Sequence, residues 1–109
     1  MKVTFMDWDC ILVPSTYTNN GRIAIQLVDA VDESPVAVAT VNLMDEVLGE
    51  DEVFIKDYSE NKGMAPVLAG AGVIYPEPVR TVQSGFVQIS AYKLTPKFID
   101  EVAAVEELH

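Results

Sequence analysis

Seven consecutive residues, Lys56-Asp57-Tyr58-Ser59-Glu60-Asn61-Lys62, gather two carboxylates, two amines, a phenol, a hydroxyl and an amide. Those types suit proton transfer: a tyrosine beside a lysine or an aspartate can act as an acid–base pair where the side chains converge. Neighbours in sequence point in different directions, however, and no second polar cluster supplies a stabiliser for a developing oxyanion. The same residues have a structural use. Asp57, Ser59 and Asn61 carry short polar side chains that satisfy free backbone N–H groups where a turn or helix begins. Lys56 and Tyr58 are then surface groups. The stretch therefore yields binding candidates, Lys56, Asp57, Tyr58, Ser59 and Glu60, together with Asp51 and Glu52 just upstream. It yields no catalytic assignment.

The remaining candidates are thinner. Asp7-Trp8-Asp9 is a DxD pair. On one extended strand its carboxylates would lie about 7 Å apart and could share a divalent ion. In a chain this acidic the spacing arises readily by chance, and the exposed face of an edge strand accounts for it. Gly49-Glu50-Asp51-Glu52 lacks the alternating acids and central glycine of a calcium loop. The sole histidine is His109, so neither a buried imidazole base nor a histidine-rich metal site is expected. Cys10 has no cationic neighbour to lower its pKa and is expected to be a buried structural thiol. Gly63, Gly70 and Gly72 are not followed by the lysine and hydroxyl residue of a phosphate loop. No cofactor and no metal are expected.

These residues must be positioned by elements that the hydrophobic pattern lays out. Val3 to Val13 reads as a first strand, with Met6, Trp8, Cys10 and Leu12 on one face and Asp7 and Asp9 on the other. Asn20-Gly21 is a tight-turn signal, although the spacing from Pro14 to Arg22 also admits a longer loop. Arg22 to Ala30 is a second strand, with Ile23, Ile25 and Leu27 inward and Arg22 and Gln26 outward. Asp32, Ser34 and Pro35 make the next turn. Val36 to Leu43 is apolar on both faces and reads as a central third strand. Val53 to Lys56 is a short fourth. A turn over 57–62 then leads into a helix from about Met64. Gly63 is its N-cap, Pro66 sits in its first turn and Gly72 is its left-handed terminator. Residues 81–94 form a last strand. Thr95 and Pro96 open a C-terminal helix striped by Phe98, Ile99, Val102 and Val105, with Glu106 and Glu107 unfavourably placed at the negative end of its dipole. The expected fold is α+β: a mainly antiparallel sheet of about five strands, one short central helix and one C-terminal helix.

Composition bounds the rest. The chain has 109 residues, enough for one domain and not two. Half of its residues are hydrophobic, which argues against disorder. A lone cysteine and the absence of a signal-peptide pattern point to a reducing cytoplasm. No apolar run is long enough to span a bilayer. The net charge is −10. Ten acids between residues 29 and 60 face Lys56 alone, so this middle third holds nearly all of the excess. Direct binding to nucleic acid is disfavoured, because phosphate contacts need lysine and arginine. A basic partner, or one that normally binds nucleic acid, is allowed by the same charge, whose plainer reading is a solvated acidic face. The acids fall in two turns, and two separate patches are expected.

Five segments, "GRIAIQLVDA", "PVAVATVNL", "EVFIKDYSENKGM", "AGVI" and "SGFVQI", together resemble a family of small acidic proteins carried by bacterial phages, plasmids and integrative elements. That family is known only as a domain of unknown function. The resemblance covers about residues 20–92 and rests mostly on "FIKDYSEN". Pro66, and the helix after Thr95, depart from its pattern. It implies a cytoplasmic accessory protein of a mobile element and no catalytic residues. The favoured expectation is thus a non-enzymatic protein-binding factor. The alternatives are an acidic DNA mimic that inhibits a nucleic-acid-binding protein, and a small enzyme using Tyr58 with Lys56 or Asp57. The sequence leaves the partner and homo-oligomer formation open.

Overall fold

The computed structural model describes residues 1–107, with side chains described through Val102. Seven strands and two helices follow in order: β1 Lys2–Phe5, β2 Trp8–Thr16, β3 Ile23–Asp29, β4 Pro35–Val38, β5 Glu52–Ile55, α1 Met64–Gly70, β6 Arg80–Ser84, β7 Val87–Lys93 and α2 Pro96–Glu107. A single 3-10 turn, Ser59–Asn61, precedes α1. The fold is α+β. All strand pairs are antiparallel, in two sheets ordered β1-β2-β3-β4 and β5-β7-β6.

The expected sheet of about five strands is corrected to seven strands in two sheets: two stretches that each read as one strand are hairpins, and the chain crosses from one sheet to the other at residues 39–41. Between Val3 and Val13 the chain reverses at Met6-Asp7, with φ of 49° and 67°. Positive φ at both central residues is the signature of a type I′ turn. The reversal inverts which parity faces inward. Val3 and Phe5 are buried on β1, Cys10 and Leu12 on β2, while Met6 and Trp8, expected on the core face, are each 54% exposed. Neither turn residue is glycine or asparagine, so the apolar alternation ran on unbroken. In residues 81–94 the reversal is at Gly85-Phe86, with φ of 60° at Gly85 and none positive at Phe86, a type II′ turn.

The remaining loops follow local chemistry. At Asn20-Gly21 only the glycine takes positive φ. The longer loop forms there, closed by Tyr17 N–H on the Arg22 carbonyl at 2.8 Å. At the β3–β4 turn the Asp29 carboxylate accepts from the N–H groups of Val31 and Asp32, and Asp32 accepts from the N–H and hydroxyl of Ser34. α1 and its flanks form as expected, with Gly63 at φ 95° before it and Gly72 at φ 78° after it. Thr95 Oγ1 accepts from Phe98 N–H at 3.3 Å, capping α2. Phe98 and Val102 are buried, but Ile99 stands off the stripe, exposed. Val105, Glu106 and Glu107, and the expected fraying there, lie outside the described side chains.

The third expected strand pairs regularly with β3 only as far as Val38. Beyond it, residues 39–41 cross from one sheet to the other. Ala39 N–H bonds the Ile25 carbonyl of β3 at 2.8 Å, while Lys56 N–H bonds the Ala39 carbonyl and Val41 N–H that of Phe54. Thr40 lies opposite Ile55 of β5. Its buried hydroxyl accepts from Ile25 N–H at 3.2 Å and bonds the Tyr17 phenol at 3.0 Å. The main core forms where the sheets, α1 and α2 meet, from Ile25, Leu27, Ile55, Met64, Leu68 and Phe98 among others. Each such fully buried side chain contributes about 1.5–3 kcal/mol. The opposite face of the β5-β7-β6 sheet has a smaller core of Phe54, Ile89 and Ala91, covered by Val41, Leu43 and Leu48 from the loop before β5.

Candidate functional site

β5 carries the chain out of the core at Lys56, and the candidate cluster begins there. Lys56 Nζ forms an ion pair with Glu60 and lies 5.7 Å from the centre of the Tyr58 ring. The hydrogen bond from Lys56 holds the Glu60 carboxyl below its ordinary value, and the same bond raises the Lys56 ammonium. Both groups are solvent-screened, so this pair orders the turn more than it stabilises the fold. The Asp57 carboxylate accepts the Gly63 N–H and so closes the turn ahead of α1. Tyr58 is half-buried, its ring packed on the smaller core.

Two of the expected caps are corrected. Ser59 takes φ of 53° and caps neither element: the N-cap residues are Tyr58 for the 3-10 turn and Gly63 for α1, and neither makes a side-chain cap bond. Asn61 faces inward, 2% exposed, and its Nδ2 donates to the Val38 carbonyl at 2.7 Å. It satisfies a strand carbonyl instead of a helix N–H, because the turn folds back over the end of β4.

Asp51 and Glu52 sit at the far end of β5 from Lys56, four residues or about 13 Å along the strand. Asp51 pairs with Lys93 at 3.5 Å. Glu52 Oε1 accepts from Gly49 N–H at 3.0 Å and from Arg80 Nη1 at 2.9 Å. The seven sequence candidates thus form two groups, each engaged in local bonding, and they share no cleft.

The DxD pair is corrected too. Asp7 lies in the type I′ turn and Asp9 on β2, where it accepts from the Thr4 hydroxyl at 3.2 Å. Among the described residues no three His, Cys, Asp or Glu side chains gather to hold a metal. Cys10 is buried, and burial, then Asp29 and Asp9, push its thiol pKa up, away from nucleophilic chemistry.

What sequence reasoning missed is the organisation of residues 42–51. Arg22, expected only to face outward, extends its guanidinium to the carbonyls of Leu43 (2.7 Å) and Glu46. Arg80 donates to the carbonyl of Val47 at 2.8 Å. Asn42 joins Asn19 and Asn20 through side-chain amides. The loop is thus fastened through its backbone and through Leu43 and Leu48 on the smaller core, while Val47 is 79% exposed and Met44, whose Sδ accepts from Asn19 Nδ2, is 60% exposed. A cleft of about 300 Å³ runs between this loop and β6, lined by Leu43, Met44, Asp45, Glu46, Gln83 and Ser84. A lone arginine at a strand start, upstream of an acidic loop, was the available signal. Asp29, Asp32 and Glu33 lie at the opposite end of β3 from Arg22, so the acids of these two loops form separate groups, and Asp57 and Glu60 lie apart in the Lys56 turn.

No helix among the described residues is long and apolar enough to cross a membrane. No protein-family model, no curated protein and no solved structure matches this chain.

Proposed function

We propose that the protein acts by binding another protein, as a non-enzymatic, cytoplasmic accessory factor of mobile-element origin. The observation that carries the binding role is the 42–51 loop. Its carbonyls are held by Arg22 and Arg80, while Met44 and Val47 project into solvent between acidic neighbours. A loop fixed through its main chain presents side chains at little further entropic cost on association. The resemblance carried by "FIKDYSEN" supports the mobile-element origin, and the lone buried thiol supports a reducing compartment. DNA mimicry ranks lower, because a mimic needs acids in rows on one continuous face, and these lie in separate groups. The excess of acids over bases also disfavours direct nucleic-acid binding.

The test is a tagged pull-down from the native host, read by mass spectrometry, with wild type and a Met44→Ser/Val47→Ser variant. A partner retained by wild type and lost by the variant is expected. Identical recovery on both proteins, or none on either, would overturn the reading.

A further inference from the structure

A sheet edge is a template for another strand, and chains commonly guard theirs. Three of the four edges here are guarded. Residues 39–41 occupy the outer side of β5. β4 opens with Pro35, and its Val38 carbonyl takes the Asn61 amide. β1 is only four residues long and opens with the exposed Lys2. β6 is the fourth edge. Ser84 and Val87 flank the two-residue turn, and such a flanking pair exchanges both of its backbone hydrogen bonds. The antiparallel alternation then aims the N–H and C=O of Thr81 and Gln83 outward. Both residues are exposed, and among the described residues no backbone hydrogen bond outside the strands uses them. No lysine, proline or inward charge protects Thr81–Ser84, and the one charge on β6, Arg80, is neutralised by Glu52.

The surroundings of this edge specify what would add to it. Asp45 and Glu46 line the cleft together with Leu43, Met44 and Ser84. The two arginines nearby are turned to carbonyls and to Glu52. An incoming strand would therefore meet carboxylates beside apolar side chains, which matches the aliphatic stem and cationic head of lysine or arginine. A second copy of this chain fits poorly, because it would set two molecules of charge −10 edge to edge.

We infer that β6 accepts an extended basic segment of a partner protein as a fourth strand, its lysine or arginine side chains entering the cleft by Asp45 and Glu46. This rests on the protein-binding reading and gives it a mode, main-chain pairing for affinity and alternate side chains for specificity.

The probe is an acetylated, amidated hexapeptide of alternating lysine and valine, titrated into 15N-labelled protein, with a glutamate-for-lysine peptide as control. The lysine peptide is expected to shift the Thr81 and Gln83 amides and to slow their exchange with solvent, and the control is not. Thr81→Pro removes an outward N–H without touching the β6–β7 ladder and is expected to abolish the effect. Asp45→Asn/Glu46→Gln leaves the edge intact and should weaken binding by about tenfold at low salt. Shifts confined to other surfaces, equal binding of both peptides, or a folded Thr81→Pro protein that binds like wild type would overturn the inference. So would concentration-dependent shifts of Thr81 and Gln83 without peptide, which report self-pairing. A pull-down partner that still binds Thr81→Pro removes this mode and leaves the general role standing. An empty pull-down removes the general role.

Discussion

The Lys56–Gly63 turn and the 42–51 loop are both polar, and they use their polarity in opposite ways. In the turn the side chains are engaged locally: Asp57 accepts the Gly63 N–H, Asn61 donates to the Val38 carbonyl, and Lys56 pairs with Glu60. In the loop the main chain is what is held, by Arg22 and Arg80, while Met44, Asp45, Val47 and Glu50 face water. The stretch with the most varied functional groups spends them on local bonding. The plainer acidic stretch, held by its main chain, is the one with more exposed side chains.

The sharpest way to break this contrast is Asn61→Ala. It removes the buried Asn61 amide from the partly buried Val38 carbonyl and is expected to cost about 2 kcal/mol in urea unfolding. A shift near zero would mean the turn is not scaffold. Arg22→Met tests the other side. Losing charged hydrogen bonds to two carbonyls should cost about 2 kcal/mol. It should also speed amide exchange over residues 43–48 and spare 57–63. Within the turn, Asp57→Ala should cost about 1 kcal/mol, the size of a lost cap. Ser59→Gly should instead gain about 0.5 kcal/mol, because glycine takes the positive φ without strain. No loss for Asp57→Ala together with a loss for Ser59→Gly would invert the assignment of the cap.

The smallest effect is electrostatic. Burial, and secondarily the Asp57 carboxylate, raise the Tyr92 phenol above its ordinary 10.0. The folded state therefore holds this proton more tightly than the unfolded chain does. The resulting stabilisation is complete below the unfolded pKa and is lost as pH rises through the folded one. Asp57→Asn should move the Tyr92 titration, followed by phenolate absorbance, back toward the ordinary value.

Legibility followed the kind of signal available. The helix at Met64 was readable because Gly63, Pro66 and Gly72 fix backbone angles locally, and Thr95-Pro96 announced α2 for the same reason. The Met6-Asp7 reversal was not, because two non-glycine residues adopt positive φ there. What holds them is cross-strand pairing, Phe5 with Trp8 and Val3 with Cys10, which is a tertiary fact. Within the candidate site, the Asp57 cap is a sequence-local bond and was anticipated. Asn61 reaching Val38, and Arg22 reaching Leu43, span more than twenty residues, and no local pattern encodes such partners.

Residues 39–41 have a consequence for how the molecule melts. Ala39 and Thr40 complete the pairing of β3, and these two with Val41 complete that of β5. Neither sheet can lose this segment without opening an edge of the other. Heating should therefore give one calorimetric peak, with the van't Hoff enthalpy equal to the calorimetric one. The two sheets behave as a single cooperative unit through a splice three residues long.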